Sequence, residues 1–428
     1  MLTPTVSTAT VEAGTADGPF DAVVVGASLA GCAVATLLGR AGATVCMVDK
    51  HPGPQAFKRL CGHYIQPSAT PVIERLGLAK AIEEAGAVRN GVDIWTSWGL
   101  IEFPGTPEER SWGYNLRRST LDPIIREIAV ATPGVTYLPG HRALELLGGP
   151  GSEHTGVELS NRKGERVRVT GRIVIGADGR NSTIARLAGA SERRSPNSRF
   201  CRSTYFTGVC LPPGSGGRLW MIDHGFAIAA PNDDEVTMLA VFLDKRQRDE
   251  FEQDRAAALA SFFEALPEAP DMSNAACDGP VLGYNDYDLI VRDPAPRPNV
   301  ALVGDAGLTS DPTMAIGCGW ALQSASWLAD ALAPALVDGE PLNPALRRYR
   351  RERRRNLYGH HRMIAFDARV HNTNPFQRMF VSAAVRDGAL GEMILDLGER
   401  TIPVRRLVAP STLTRLGRTK LSGKAAIH

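Results

Sequence analysis

One segment of the sequence sets the architecture: Asp21-Ala-Val-Val-Val-Gly26-Ala-Ser28-Leu-Ala-Gly31-Cys-Ala-Val-Ala-Thr-Leu-Leu-Gly-Arg-Ala-Gly-Ala-Thr-Val-Cys-Met-Val-Asp49. A short β-branched run meets a Gly-x-Ser-x-x-Gly turn, a helix-forming segment follows, and a second apolar run ends on an acid. This order predicts one βαβ unit of the dinucleotide-binding type.

Each residue type in this turn has a physical reason. Gly26 lets the chain leave the strand in a conformation that a Cβ would disfavour, and Gly31 lets the helix pack closely on the sheet. Ser28 replaces the commoner second glycine, which slightly hinders backbone approach but adds a hydroxyl donor. The helix N-terminus would present free N–H groups to phosphate, and Asp49 is the predicted acceptor for a ribose hydroxyl.

Length and charge limit the classes of protein. A chain of 428 residues predicts two closely joined domains. A net charge of +2 gives no electrostatic case for nucleic-acid binding. The arginine-rich run 347–355 is interpreted as the solvated face of a C-terminal helix, with a patch for an acidic substrate, a carrier protein or nicotinamide phosphates as the alternative.

Cysteine usage and the chain ends indicate the compartment. Seven cysteines without a CxxC or metal-type spacing predict reduced thiols in a cytoplasmic protein without a metal site. Residues 1–19 lack the basic start and apolar core of a signal peptide, so we expect a disordered leader. No apolar run is long enough to cross a bilayer, which predicts a soluble protein without a membrane span.

Two further turns follow predicted buried strands. The run Ile173-Val-Ile175 leads into Gly176-Ala-Asp178-Gly179, and Val300-Ala-Leu-Val leads into Gly304-Asp305, with Pro312 and Gly317-x-Gly319 beyond. Continuous β-branched runs are typical of central parallel strands covered on both faces. Ligands of open α/β sheets lie at the carboxyl ends of such strands, so both turns are predicted to face one site.

Together the three motifs resemble the fingerprints of the para-hydroxybenzoate hydroxylase-type (group A) FAD-dependent monooxygenase superfamily, which includes flavin halogenases and geranylgeranyl-reductase-like enzymes. The resemblance covers about residues 20–340 and rests on motif order, spacing and strand context. It implies non-covalent FAD, NAD(P)H as a transient reductant without a domain of its own, and a small-molecule substrate. Whether the protein is a monomer or a homodimer stays open.

The resemblance also implies residue roles. Asp305 would bind the flavin ribityl chain, with capping of the following turn as the alternative. Arg118 would lie over the flavin phosphates or ring edge, with Arg117 as its competitor. The positive end of a helix near Gly317 would face the flavin. The predicted cofactor-binding residues are Gly26, Ser28, Gly31, Asp49, Lys50, Arg59, Arg118, Asp178, Gly179, Gly304, Asp305, Pro312, Gly317 and Gly319.

Catalytic side chains are harder to predict, because in this superfamily the flavin performs the chemistry and the protein positions substrate and excludes water. His63 and Tyr64 follow the second strand, where the family's loop approaches the flavin. His224 lies in the least patterned part of the chain. Ordinary packing or loop hydrogen bonding is the alternative for all three.

The predicted fold class is α/β, with a Rossmann-like FAD-binding domain, an inserted mixed β-sheet substrate domain and a C-terminal helical segment. The predicted FAD-binding domain is discontinuous. The segments are 20–90, 116–190 and 290–345 for FAD binding, 91–115 and 191–289 for the substrate sheet, and 346–428 for the helical region.

Several reactions are compatible with these motifs. The leading prediction is an FAD-dependent, single-component monooxygenase that hydroxylates or epoxidises an organic, polycyclic or natural-product substrate of secondary metabolism. A reductase of carbon–carbon double bonds is the first alternative, because Lys58-x-x-Cys61-Gly62 resembles the Cys-Gly loop of geranylgeranyl-reductase-like proteins. A flavin-scaffolded, non-redox cyclase is the second. Halogenases carry a Trp-x-Trp-x-Ile-Pro block that Trp95-Thr-Ser-Trp98-Gly-Leu does not match.

Overall fold

The structure, a computed structural model, describes residues 19–101, 111–149, 152, 154–212, 216–222, 225–369 and 375–422. Apart from Pro19, the predicted leader lies outside the described residues. The strands are β1 Phe20–Val25, β2 Val45–Asp49, β3 Tyr64–Ile65, β4 Val88–Asn90, β5 Asp93–Thr96, β6 Gly99–Ile101, β7 Gly113–Asn115, β8 Val135–Pro139, β9 Arg142–Leu147, β10 Thr155–Ser160, β11 Arg166–Gly176, β12 Glu192–Ser195, β13 Arg199–Thr207, β14 Arg218–Ile222, β15 Gly225–Pro231, β16 Thr237–Asp244, β17 Ala276–Tyr284, β18 Leu289–Arg292 and β19 Val300–Leu302.

Helices occupy the segments between the strands and most of the C-terminal part. They are α1 Leu29–Arg40, α2 Thr70–Arg75, α3 Ala79–Glu84, α4 Arg118–Val130, α5 Thr183–Leu187, α6 Arg255–Glu264, α7 Gly317–Val337, α8 Leu342–Asp367, α9 Pro375–Ala384, α10 Gly388–Glu399 and α11 Pro410–Ser422. Among the described residues, none of these helices combines the length and the apolar character that a bilayer crossing requires.

The first large sheet has the order β8-β2-β1-β11-β10-β9, and β19 pairs with β11. Strands β8, β2, β1, β11 and β19 run parallel, whereas β9 and β10 are antiparallel additions. All five residues of β2 are buried, as expected for a strand covered on both faces. Helices α1 and α7 pack against one face of this sheet in the largest core, and α5 packs against the other.

The second large sheet has the order β17-β13-β16-β15-β14-β5-β6 and draws its strands from 93–101 and 199–284. It is mixed, because β5 and β14 pair in parallel while the other neighbours are antiparallel. Helix α6 packs on its core through Leu259 and Phe263, and the C-terminal helices cover β5 and β6. The predicted fold class is confirmed, while the exact domain boundaries stay a prediction.

Two helices begin at residues of the predicted site. Helix α4 begins at Arg118, and an ion pair between Arg118 and Asp122, one turn apart, stabilises its first turn. Helix α7 begins at Gly317. The buried side chains of Cys318 and Trp320 outweigh the low helix propensity of the two glycines there.

The arginine-rich run lies on α8 as predicted, but it is not wholly solvated. Arg353 is buried and donates to the carbonyl oxygens of Arg292 and Gly307. Arg350 pairs with Asp293 at 3.0 Å. These arginines therefore fasten α8 to the chain around β18 and the turn after β19, and only part of the run is free to meet an anionic partner.

Candidate functional site

The three turns predicted from the sequence lie side by side. Strand β11 is paired with β1 on one side and with β19 on the other, and Gly176 is the register partner of both Val25 and Leu302. The turns that follow these strands therefore emerge at one edge of the sheet, as expected at the carboxyl ends of parallel strands.

A cavity of about 660 Å³ opens at this edge. It extends from the β1–α1 turn to the second large sheet, where Cys201, Ser203, Ala240, Phe242 and Tyr284 form its wall. The residues predicted from sequence that line it are Gly26, Ser28, Asp49, Lys50, His63, Tyr64, Arg118, Asp178, Gly179, Asp305, Pro312 and Gly317.

The first βαβ turn is held by backbone geometry. Gly26 has φ +108°, and a Cβ there would lie 2.4 Å from the carbonyl oxygen of Ala177. The Asp49 carboxylate accepts hydrogen bonds from the backbone N–H groups of Ala27 at 2.8 Å and His51 at 2.7 Å. Asp49 thus fastens the end of β2 to the turn, and its oxygens keep lone pairs for a further donor.

Arg118 is the most connected side chain of the cavity. It is 3% exposed and forms an ion pair with Asp122, whose carboxylate accepts from Nε at 2.7 Å and from Nη2 at 3.0 Å. Nη2 also donates to Ser28 Oγ at 2.6 Å. Nη1 lies 3.6 Å from Cys61 Sγ and 3.9 Å from Cys318 Sγ. One guanidinium therefore joins α1, α4, α7 and the loop between β2 and β3.

His63 stands next to this guanidinium and has an unusual backbone. Its φ is +53°, in the left-handed region that residues other than glycine seldom adopt. Its Nδ1 accepts a hydrogen bond from the Arg118 backbone N–H at 2.8 Å, so the ring proton resides on Nε2, next to the Tyr205 hydroxyl. Burial lowers the pKa of His63, which keeps the imidazole neutral.

Asp305 faces a cation across the cavity. Lys58 Nζ lies 2.9 Å from Asp305 Oδ2, and this carboxylate raises the pKa of Lys58. The Lys58 backbone N–H donates to Asp122 Oδ2 at 3.0 Å, which connects the loop to the Arg118 ion pair. The side chain of Lys58 is 46% exposed, so the pair is accessible from the cavity.

Comparisons with known proteins identify the family of this chain. A family model described as FAD binding domain matches residues 20–358. The chain belongs to this FAD-binding family. The match confirms the predicted superfamily and the predicted class of FAD-dependent oxidoreductase.

Individual relatives share a low sequence identity with this chain. The chain is 27% identical over 337 residues to the uncharacterized protein Rv1260 of Mycobacterium tuberculosis, covering 73% of this chain and 85% of the relative. Two solved structures share the fold. The flavin-dependent brominase Bmp2 has a TM-score of 0.75 and 19% identity, covering 95% of this chain and 100% of that one. The p-nitrophenol 4-monooxygenase PnpA of Pseudomonas putida has a TM-score of 0.72 and 21% identity, covering 89% and 98%.

The cavity fits FAD on observations of its own. Helices α1 and α7 both begin at it, and neither has a side-chain cap at its N-terminus, which leaves backbone donors for phosphate and carbonyl oxygens. Three lining side chains also have a buried polar atom without a protein partner: Tyr284 Oη, Ser310 Oγ and Trp320 Nε1. Such atoms require a ligand or water, and an elongated group with hydroxyls, phosphates and carbonyls can satisfy them.

Some predicted residues lie apart from the cavity lining. Gly31 and Gly304 support the strand–helix packing instead: a Cβ on Gly31 would lie 1.7 Å from the Gly26 carbonyl oxygen, and one on Gly304 would meet Ala30. Gly319 faces the Arg400 side chain. Arg59 is exposed and does not belong to the lining residues of this cavity, and His224 lies outside the described residues.

Asp178 lines the cavity, but its carboxylate has a structural task. It accepts hydrogen bonds from the Ser182 hydroxyl and from the Ile184 backbone N–H at 3.1 Å, at the start of α5. Burial raises the pKa of Asp178. The Asp178 carboxylate therefore fixes the start of α5 beside the cavity.

The sequence did not show how several members of the cluster meet. Lys58, rather than Arg59, is the loop cation that meets Asp305. Cys61 and Cys318 lie 3.5 Å apart between their sulfur atoms, although 257 positions separate them. Cys61 belongs to the motif Lys58-x-x-Cys61-Gly62 and Cys318 lies between Gly317 and Gly319, so membership of a motif was the available signal. Tyr205 had none, because its partner His63 lies 142 positions away.

Proposed function

We propose that the protein is a single-component, FAD-dependent monooxygenase that uses NAD(P)H and O₂ to hydroxylate or epoxidise an organic substrate. The observation that carries the proposal is the composition of the cavity. The family's cofactor residues line one end, and an apolar wall from the second sheet lines the other. Pockets of this kind, apolar with a few placed polar groups, bind organic small molecules.

At the cofactor end, the β1–α1 turn would hold the pyrophosphate and Asp49 a ribose hydroxyl, as the family motif implies. Asp305 would accept from ribityl hydroxyls, with Lys58 at its other oxygen. The N-terminus of α7 would stabilise negative charge on the ring system. Bound FAD supplies the redox chemistry and the reaction with oxygen.

At the other end, the protein's own contribution is positioning and exclusion of water. Phe242 and Ala240 offer an apolar surface, while Ser203 and Tyr284 supply hydroxyls that can orient a polar group of the substrate. His63 acts as a neutral, rigidly oriented ring, because both of its nitrogens have partners. It is a positioning residue in this proposal, and Tyr64 also lines the cavity.

The proposal is tested with the purified protein loaded with FAD. We expect NAD(P)H consumption to rise when phenolic or polyene compounds are added, and one labelled oxygen atom from ¹⁸O₂ to appear in the product. If a compound is consumed without incorporation of labelled oxygen, the monooxygenase assignment is wrong.

A pair of variants on strand β13 sharpens this test. Ser203 lines the cavity, whereas Thr207, four residues further along the same strand, is exposed. Ser203→Leu fills the wall and should raise the KM for the substrate by at least about tenfold, equivalent to ~1.4 kcal/mol, with flavin absorbance retained. The matched control Thr207→Leu should leave KM unchanged.

A second candidate is a reductase of carbon–carbon double bonds. The observation that favours it is the position of Cys61, in Lys58-x-x-Cys61-Gly62, on the cavity lining. Turnover without oxygen separates the two functions: a monooxygenase stops under anaerobic conditions, whereas a reductase continues.

A further inference from the structure

Two thiols meet in the cavity next to a cluster of cations. Cys61 lies in the loop between β2 and β3, and Cys318 lies in the first turn of α7. Their sulfur atoms are 3.5 Å apart, and both residues line the cavity. Neither thiol has a role in the proposed monooxygenase reaction.

The surroundings distinguish the two sulfur atoms. Cys61 Sγ accepts from the His63 backbone N–H at 3.5 Å and lies closer to the Arg118 guanidinium than Cys318 Sγ does, at 3.6 Å against 3.9 Å. Lys58 belongs to the same loop. Cations and N–H donors favour a thiolate, so Cys61 accepts and Cys318 donates in the contact between them.

The acidity of the pair follows this geometry. The hydrogen bond from Cys318, together with the charges of Arg118 and Lys58, places the pKa of Cys61 well below its ordinary range, although burial opposes the change. The same hydrogen bond and burial raise the pKa of Cys318. Cys61 is therefore the more nucleophilic of the two residues, and Cys318 stays protonated in the reduced pair.

We propose that Cys61 and Cys318 form a peroxide-reactive dithiol, with Cys61 as the nucleophile and Cys318 as the resolving thiol. The Cys61 thiolate attacks one oxygen of hydrogen peroxide. An S–O bond forms, the O–O bond breaks, and the leaving hydroxide takes a proton to become water. Cys318 then attacks the Cys61 sulfur, the S–S bond forms, and the S–O bond breaks with release of a second water. Overall, two thiols lose two electrons and two protons, and one peroxide becomes two waters.

The required movement is small. The sulfur atoms must approach from 3.5 Å to about 2 Å. Cys318 is held by the long helix α7, whereas Cys61 is in a loop segment outside helix and strand, so the loop can supply the shift. Cys61, the sulfur that peroxide must reach first, is only partly buried and lines the cavity.

The experiment uses the full-length protein as purified, reduced with dithiothreitol, desalted and treated with one equivalent of hydrogen peroxide. Free thiols are then blocked with iodoacetamide and the peptides are mapped by mass spectrometry. We expect one cross-linked peptide pair, Cys61 with Cys318, two hydrogen atoms lighter than the separate peptides. Dithiothreitol should restore both thiols.

Variants separate the two roles. In Cys318→Ser, the cross-link should be absent and Cys61 should be trapped as sulfenic acid by dimedone. In Cys61→Ser, Cys318 should give neither product. The matched control is Cys210→Ser, which removes an exposed thiol and should leave the cross-link intact. At pH 7 Cys61 should react roughly tenfold faster than exposed Cys210, because the Arg118 guanidinium beside Cys61 Sγ favours the nucleophilic thiolate.

Two results would overturn the proposal. The first is oxidation of Cys210 or Cys277 before Cys61. The second is accumulation of a sulfinic acid on Cys61 of the unsubstituted protein without a cross-link. The peptide map of that protein decides the matter even if a variant fails to fold. No NAD(P)H or organic substrate is present, so a failure here is distinct from a failure of the proposed monooxygenase reaction.

Discussion

Two adjoining parts of the cavity, the turn after β1 (the backbone end) and the cluster of side chains around Arg118 (the side-chain end), are built on different principles. At the β1–α1 turn the site consists mainly of backbone: Gly26 sets the turn, and the uncapped start of α1 offers N–H groups. Around Arg118 the site consists of side chains that come from four separate segments, including Cys61, Asp122 and Cys318.

This difference predicts which substitutions each end tolerates. A backbone site tolerates many side chains but not a Cβ at its tight glycine. A side-chain cluster tolerates local backbone variation but not the loss of its central charge, because the remaining buried groups lose their partner. Substitutions at the two ends can test whether the distinction holds.

The largest effect is expected at the side-chain end. Arg118→Ala leaves the Asp122 carboxylate, which is 1% exposed, without its cation. Removal of one partner of a buried ion pair costs about 3–5 kcal/mol, so the free energy of unfolding in urea should fall by that amount.

The matched control for Arg118→Ala is another i,i+4 ion pair. Lys80 and Glu84 lie 3.7 Å apart with side chains 86% and 69% exposed, and Lys80→Ala should cost no more than about 0.5 kcal/mol. Equal losses in the two variants would show that Arg118 is not the centre of the cluster.

A somewhat smaller loss is expected at the backbone end. Gly26→Ala places a Cβ 2.4 Å from the Ala177 carbonyl oxygen at a φ of +108°, and overpacking combined with strain costs about 3 kcal/mol. Absorbance of bound flavin after gel filtration should drop with it. Gly53→Ala is the control, since nothing lies within 4 Å of a Cβ there. If Gly26→Ala retains flavin as Gly53→Ala does, the backbone description is wrong.

The same distinction explains what the sequence could predict. Strands β1, β2, β11 and β19 and their turns follow local patterns, because each strand is an apolar run and a glycine or an acid marks its end. The contacts that place these turns together come from parallel pairing, which general topology rules supply.

The side-chain end could be predicted only in part. Arg118 was predicted from the family resemblance. Arg59 was predicted as the cofactor-binding cation of the loop in place of Lys58, because nothing in the local sequence tells which of two adjacent loop cations faces the cavity. The contacts of His63 with Tyr205 and of Cys61 with Cys318 depend on the packing of distant segments. No local periodicity encodes them.

A variant pair at His63 tests how side chains hold the loop. His63→Leu removes the acceptor for the Arg118 backbone N–H and keeps a side chain at φ +53°. A buried donor without a partner costs about 1–3 kcal/mol, so we expect a loss of ~2 kcal/mol in the urea titration. Asn is the conservative control, because it tolerates the left-handed region and offers an acceptor oxygen. His63→Asn should therefore lose markedly less, and equal losses would contradict the role assigned to Nδ1.

The smallest expected effect is a pH dependence of the free energy of unfolding, and it comes from His361, next to the cavity-lining residue Trp320. His361 is 3% exposed, donates from Nε2 to the Thr309 carbonyl oxygen at 3.2 Å and packs near Trp320. Burial lowers the pKa of His361 to about 4. Below the unfolded-state pKa of about 6.5, the unfolded chain binds a proton that the folded protein excludes, so stability decreases as the pH falls from about 6.5 towards 4.

Between pH 7 and pH 5.5 this single group should remove about 1.3 kcal/mol from the free energy of unfolding. His361→Gln keeps an N–H donor without a titrating ring, so its loss over the same interval should be smaller than that of the unsubstituted protein by that amount. His154 is exposed, and His154→Gln should follow the unsubstituted protein throughout. If His361→Gln and His154→Gln show the same pH dependence, His361 is not kept neutral by the packing between α8 and Trp320, and the side-chain end of the cavity is less tightly closed than its contacts indicate.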